Sequence, residues 1–153
     1  MRFRPWLLVV TALYVGFIAW MTLRTSVYDG ATASLLSRAL HAFSAHQATS
    51  WLTFDRVESL ANVAMFVPLG FFLALFFPRR LWILAALLCV LASYGIESYQ
   101  GAYLPTRVED MGDVVHNGLG GLVGALIATA LRMLAAPRGP RGRRRVARAS
   151  QSW

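Results

Sequence analysis

Only seven acidic residues occur in the 153-residue chain, and five of them, Glu58, Glu97, Glu109, Asp110 and Asp113, fall within residues 58–113. Three keep an amide at helical spacing: Glu58 with Asn62 at i, i+4, Glu97 with Gln100 at i, i+3, and Asp113 with Asn117 at i, i+4. Each pair therefore shares one helix face. Such a set can accept protons or take hydrogen bonds from a ligand. Arg107, in the same connecting segment as Glu109 and Asp110, adds a planar donor fork suited to phosphate or carboxylate. Glu97 and Arg107 read either as a structural ion pair or as a ligand site, and Asn62 and Asn117 also suit interhelical hydrogen bonding. For catalysis, Glu97, Asp110 and Asp113 are the acid/base candidates, but no spacing supplies a nucleophile or an electrophile stabiliser. Asp113 and His116, at i, i+3, raise a hard divalent ion as an option with Glu97 or Asp110. His41 and His46, five residues apart, align poorly, and the reading assigns neither a metal nor a cofactor.

The elements that must position these groups are membrane spans. The chain is 57% apolar and 14% charged, where a soluble domain carries about 25% charge. Four apolar runs, at about residues 5–23, 59–77, 81–99 and 114–133, each have the ~20 residues that a spanning helix requires. Together they leave no room for a separate soluble domain. The first run continues through Trp20 and Met21, longer than the ~7–15-residue core of a secretory signal, so a retained anchor is expected over cleavage near Ala31-Thr32-Ala33. Pro68 should kink the second span, and glycines 120 and 124, with Gly121 and Ala125 beside them, form small-xxx-small faces for close packing. The single cysteine, Cys89, permits no intrachain disulfide and reads as a packing residue. Leu36, Leu40 and Phe43 predict a short amphipathic helix between the first two spans. Residues 135–153, rich in Arg, Gly and Pro, predict a disordered tail.

Charge orients the spans. All fifteen basic residues are Arg. Placing both termini in the cytoplasm puts eleven arginines and no acid inside, and four arginines with all seven acids outside. The positive-inside rule selects that topology. Orientation and attraction to anionic lipid account for the basic tail, so no nucleic-acid partner is expected. The expected fold is an all-α membrane protein with four transmembrane helices in residues 1–134.

Counted from the basic boundary of each span, Asn62, Glu97 and Asn117 lie fifteen or sixteen residues up. At 1.5 Å per residue that is ~22–24 Å into a core of ~30 Å. Three helices thus bring polar groups to one outer layer, where an ionisable residue needs a partner or a wet cavity. An outward acidic cleft of Glu58, Asn62, Glu97, Gln100, Arg107, Asp110, Asp113 and Asn117 is expected.

In order and spacing these residues resemble the VanZ-like family of small bacterial membrane proteins. The matching elements are Glu58 and Asn62, Phe66-Val67-Pro68-Leu69-Gly70, Glu97-Ser98-Tyr99-Gln100, then Arg107, Asp110, Asp113, Asn117, Gly120 and Gly124. The resemblance implies a cell-envelope role associated with resistance to the glycopeptide teicoplanin. The expected ligands are a membrane lipid, a lipid-linked cell-wall precursor or a glycopeptide-type compound, bound at the bacterial cytoplasmic membrane. A membrane-embedded hydrolase or transferase acting on such a lipid is the alternative, and a structural subunit of an envelope complex is a third reading.

Topology is directly testable. With Cys89 replaced by Ala, single cysteines at His46 and at Glu109 should react with a membrane-impermeant thiol reagent in intact cells, and one at Arg145 should not. Reaction at Arg145 in sealed cells would place the acidic cleft inside.

Overall fold

The computed structural model describes residues 5–23, 38, 49, 51, 53–104 and 110–136. Four long helices carry the fold: α1 (Pro5–Thr22), α2 (Phe54–Phe76), α3 (Ile83–Tyr103) and α4 (Met111–Leu134). All four are long and apolar enough to cross a membrane, and no strand occurs among the described residues. The amphipathic helix expected near Leu36, Leu40 and Phe43, and residues 137–153 of the tail, lie outside the described residues.

Helix limits follow capping rather than hydropathy. Pro5 opens α1, where its missing N–H costs nothing. The Thr53 hydroxyl caps α2, which therefore begins a full turn before the apolar run and includes Asp55, Arg56 and Glu58. Similarly, α3 continues through Glu97 to Tyr103. The second, third and fourth helices each extend past their apolar runs at the acidic end, whereas α1 ends within its run.

Between α2 and α3 the reversal is a single 3-10 turn, Arg79–Leu81, closed by the Leu81 N–H on the Pro78 carbonyl at 2.8 Å. Arg132 of α4 completes this end of the bundle. Its guanidinium donates to the carbonyls of Ala74 and Phe77 at 3.0 and 2.9 Å, joining the Phe77 N–H on the Ala74 carbonyl and so reinforcing the end of α2. Arg79 in turn donates to the Arg132 carbonyl at 3.2 Å. Arg132 is thus a structural donor, a role beyond the orienting charge that the sequence predicts for it.

The core is a glycine seam between α2 and α4, the most extensively packed pair. A Cβ at Gly120 would collide with the Val63 carbonyl, one at Gly124 with the Val67 carbonyl, and one at Gly70 with the main chain of Gly121. Gly120 and Gly124 are four apart, as are Val63 and Val67, so matching i, i+4 rows meet backbone to backbone. On its other side Gly121 abuts Cys89 of α3. Cys89 and Phe66 are fully buried with Ile18 and Leu69 in one cluster, and Ala74, Ala85, Ala125 and Ala128 form another toward the basic end. Half of the α4 span is buried, against 17% of α1, so α4 is the central helix and α1 the peripheral one. Trp6, Val9, Leu13 and Trp20 on α1 are more than half exposed, a surface suited to lipid rather than to water.

The seam predicts an asymmetric response to added methyl groups. Gly124→Ala should cost about 1–3 kcal/mol through overpacking and lower the melting temperature in detergent or nanodiscs. Gly95, with nothing within 4 Å of its Cβ position, should accept Ala neutrally or with slight gain. Equal melting of the two variants would remove the seam from the fold's foundations.

Candidate functional site

At the end opposite the Arg79–Arg132 latch, α2, α3 and α4 diverge around a cavity of about 150 Å³. Its polar lining is Glu58 and Asn62 from α2, Glu97 and Gln100 from α3, and Asp113 and Asn117 from α4. Each helix contributes the pair that helical spacing puts on one face. Met21 and Thr22 of α1, with Ala61, Met65 and Ile96, supply the remaining wall. The cavity therefore unites six of the eight residues expected in the cleft. Arg107 lies outside the described residues.

Asp110 occupies a different position from the other six. It is the N-cap of α4, its Oδ1 accepting the Gly112 N–H at 2.7 Å, where a carboxylate also complements the helix dipole. Its own N–H donates to Glu97 Oε2 at 2.9 Å. One residue thereby starts α4 and ties that start to the last turns of α3. Glu97 is only 4% exposed, and a carboxylate so placed requires hydrogen-bond donors of this kind.

The buried stripe of α3 changes character along its length, from Ala85, Ala86 and Cys89 to Ser93, Glu97 and Gln100. The Gln100 Nε2 donates to the Thr22 carbonyl at 2.7 Å, capping the end of α1 and closing the cavity on that side. Farther along α1, the Tyr14 hydroxyl donates to the Met65 carbonyl at 2.8 Å. Asn117 Nδ2 donates to the Ser93 hydroxyl at 2.8 Å inside the bundle. The Asn117 Oδ1, on a side chain 3% exposed, has no hydrogen-bond partner among the described residues. A buried amide oxygen left unpaired is costly, and its residue is part of the cavity lining.

Ser93, Thr22 and Tyr14 were not among the expected site residues. Ser93 had a signal: with Glu97 and Gln100 it completes an i, i+4, i+7 stripe. Thr22 contributes only its main-chain carbonyl, which no side-chain pattern reveals. Asp113 and His116 diverge, since His116 lines a separate groove on the far side of α2. Among the described residues no group of three His, Cys, Asp or Glu side chains is arranged to hold a metal ion.

The family model VanZ/LLP1 matches residues 11–132, a stretch that includes every cavity-lining residue. No curated protein and no solved structure matches the chain.

Substitution separates the cap from the charge of Asp110, since its main-chain N–H to Glu97 survives any side-chain change. Asp110→Ala should lower stability by about 1 kcal/mol through loss of the cap, and Asp110→Asn should retain most of it. Thermal unfolding of both variants checks this. If Asp110→Asn falls as far as Asp110→Ala, the carboxylate charge rather than capping sets the role.

Proposed function

The chain belongs to the VanZ/LLP1 family and is a multi-pass membrane protein; from that premise we propose that its acidic cavity opens to the outside of the bacterial cytoplasmic membrane and binds the donor-bearing head of an envelope lipid or lipid-linked cell-wall precursor. The carrying observation is the lining: three carboxylates and three amides from three helices, including a buried Asn117 oxygen with no protein donor among the described residues. Such walls favour a ligand rich in N–H or O–H donors, an ammonium or a sugar hydroxyl. The outward orientation rests on the charge asymmetry of the loops.

Size narrows the ligand. A cavity of about 150 Å³ matches in size one that takes a benzene-sized molecule. That admits a head-group fragment and leaves the acyl chains in the bilayer. A glycopeptide would enter only by a single amine or sugar, so teicoplanin resistance is in this reading an effect of handling an envelope lipid or precursor. Binding is favoured over hydrolysis or group transfer because the Asp110 carboxylate is engaged as a helix cap and Glu97 Oε2 receives the Asp110 N–H. These bonds make a rigid acceptor wall.

Native mass spectrometry of gently extracted protein, with lipid titration in nanodiscs, tests the reading. The protein should carry an amine- or sugar-bearing envelope lipid. Glu97→Gln, which keeps an acceptor for Asp110, and Asn117→Leu should each weaken binding about tenfold, or ~1.4 kcal/mol, with the fold retained. Undiminished binding in both variants would overturn the assignment. Product formation lost in Asp113→Asn would establish an enzyme instead.

A further inference from the structure

The helix α2 has a second functional face. Glu58, Ala61, Asn62 and Met65 look into the acidic cavity at i, i+3, i+4 and i+7. Arg56, Ser59, Leu60 and Val63 repeat the same spacing two residues earlier and line a separate groove of about 360 Å³, completed by Trp51 and by His116 of α4. An offset of two residues at about 100° each puts the two stripes on nearly opposite sides of the helix. Among the described residues, no acidic residue lines this groove. Its polar groups are a guanidinium, an imidazole and a hydroxyl, and its other walls are Leu60, Val63 and an indole.

Both basic groups are available to a ligand. Arg56 Nη1 donates to the Trp51 carbonyl at 2.8 Å, which holds the guanidinium at the groove and commits one of its five N–H donors. The His116 side chain makes no hydrogen bond to a described residue, and its Nδ1 is buried without a partner. Leu60 and Trp51 are about half exposed, so the groove opens on a surface that, in a membrane-spanning bundle, meets lipid. Arg56 is the third residue of α2, at the level where a spanning helix leaves hydrocarbon for head groups and where Trp side chains concentrate.

We propose that this groove is a binding site for an anionic glycerophospholipid, its phosphodiester held by Arg56, His116 and Ser59 and its glycerol and first acyl carbons lying on Leu60, Val63 and Trp51. The charge of the groove selects the phosphate, and the apolar wall selects a lipid over free phosphate. Recognition is independent of the acidic cavity, from which α2 separates it.

The test uses the full chain in nanodiscs of phosphatidylcholine with or without phosphatidylglycerol, with retained lipid counted by native mass spectrometry. One phosphatidylglycerol should be retained about tenfold more strongly than phosphatidylcholine. Arg56→Gln and His116→Leu should each reduce that preference severalfold, and Arg56→Lys should restore part of it. If Arg56→Gln fails to fold because the Trp51 contact is lost, His116→Leu, which keeps a helix-forming residue, carries the test. Equal retention of the two lipids, an undiminished preference in the folded variants, or displacement of phosphatidylglycerol by inorganic phosphate at similar concentration would each overturn the proposal.

Discussion

Everything in this bundle depends on how closely α2 and α4 approach. In a bilayer, apolar side chains gain little by leaving lipid for one another, so helices associate where their backbones can touch. Gly70, Gly120, Gly121 and Gly124 allow that contact against Val63, Val67 and one another's main chain. Any Cβ at Gly120 or Gly124 would force the axes apart, and the polar residues one to two turns above would separate with them.

The seam also sets register. Asn117 and Asp113 lie three and seven residues before Gly120 on α4, and Asn62 and Glu58 lie one and five before Val63 on α2. Once Gly120 meets Val63 and Gly124 meets Val67, those four polar side chains reach the same level facing one cavity. A slip of one residue would turn a helix by about 100° and move its carboxylate into lipid, a costly position. Packing and polarity therefore specify the same arrangement, and the third helix joins through Cys89 on Gly121 and Ser93 on Asn117.

The spans and the polar layer were legible in the sequence because both are periodic: long apolar runs report hydrocarbon, and Glu58–Asn62, Glu97–Gln100 and Asp113–Asn117 report helix faces. Counting residues from the basic boundary sufficed to put Asn62, Glu97 and Asn117 at a common depth. What escaped is aperiodic. The cap made by Asp110 is a local turn, so its carboxylate resembled a site acid. Arg132 looked like one more cytoplasmic charge because its acceptors, Ala74 and Phe77, are more than fifty residues away. The groove of Arg56 and His116 combines residues from two helices whose separation along the chain hides their proximity.

Among the described residues, several side-chain hydrogen bonds that join the helices end on carbonyls of the main chain: Tyr14 on Met65, Gln100 on Thr22, Arg79 on Arg132, and Arg132 on Ala74 and Phe77. Every residue type supplies a carbonyl. Each of these contacts can thus be abolished by a codon change at its donor, whereas changes at the acceptor position leave the acceptor atom in place. The genetic target for breaking such a joint is about half that of a joint between two side chains. For α1, whose outer face is exposed and apolar, this leaves wide latitude for neutral drift in apolar residues while its attachment persists.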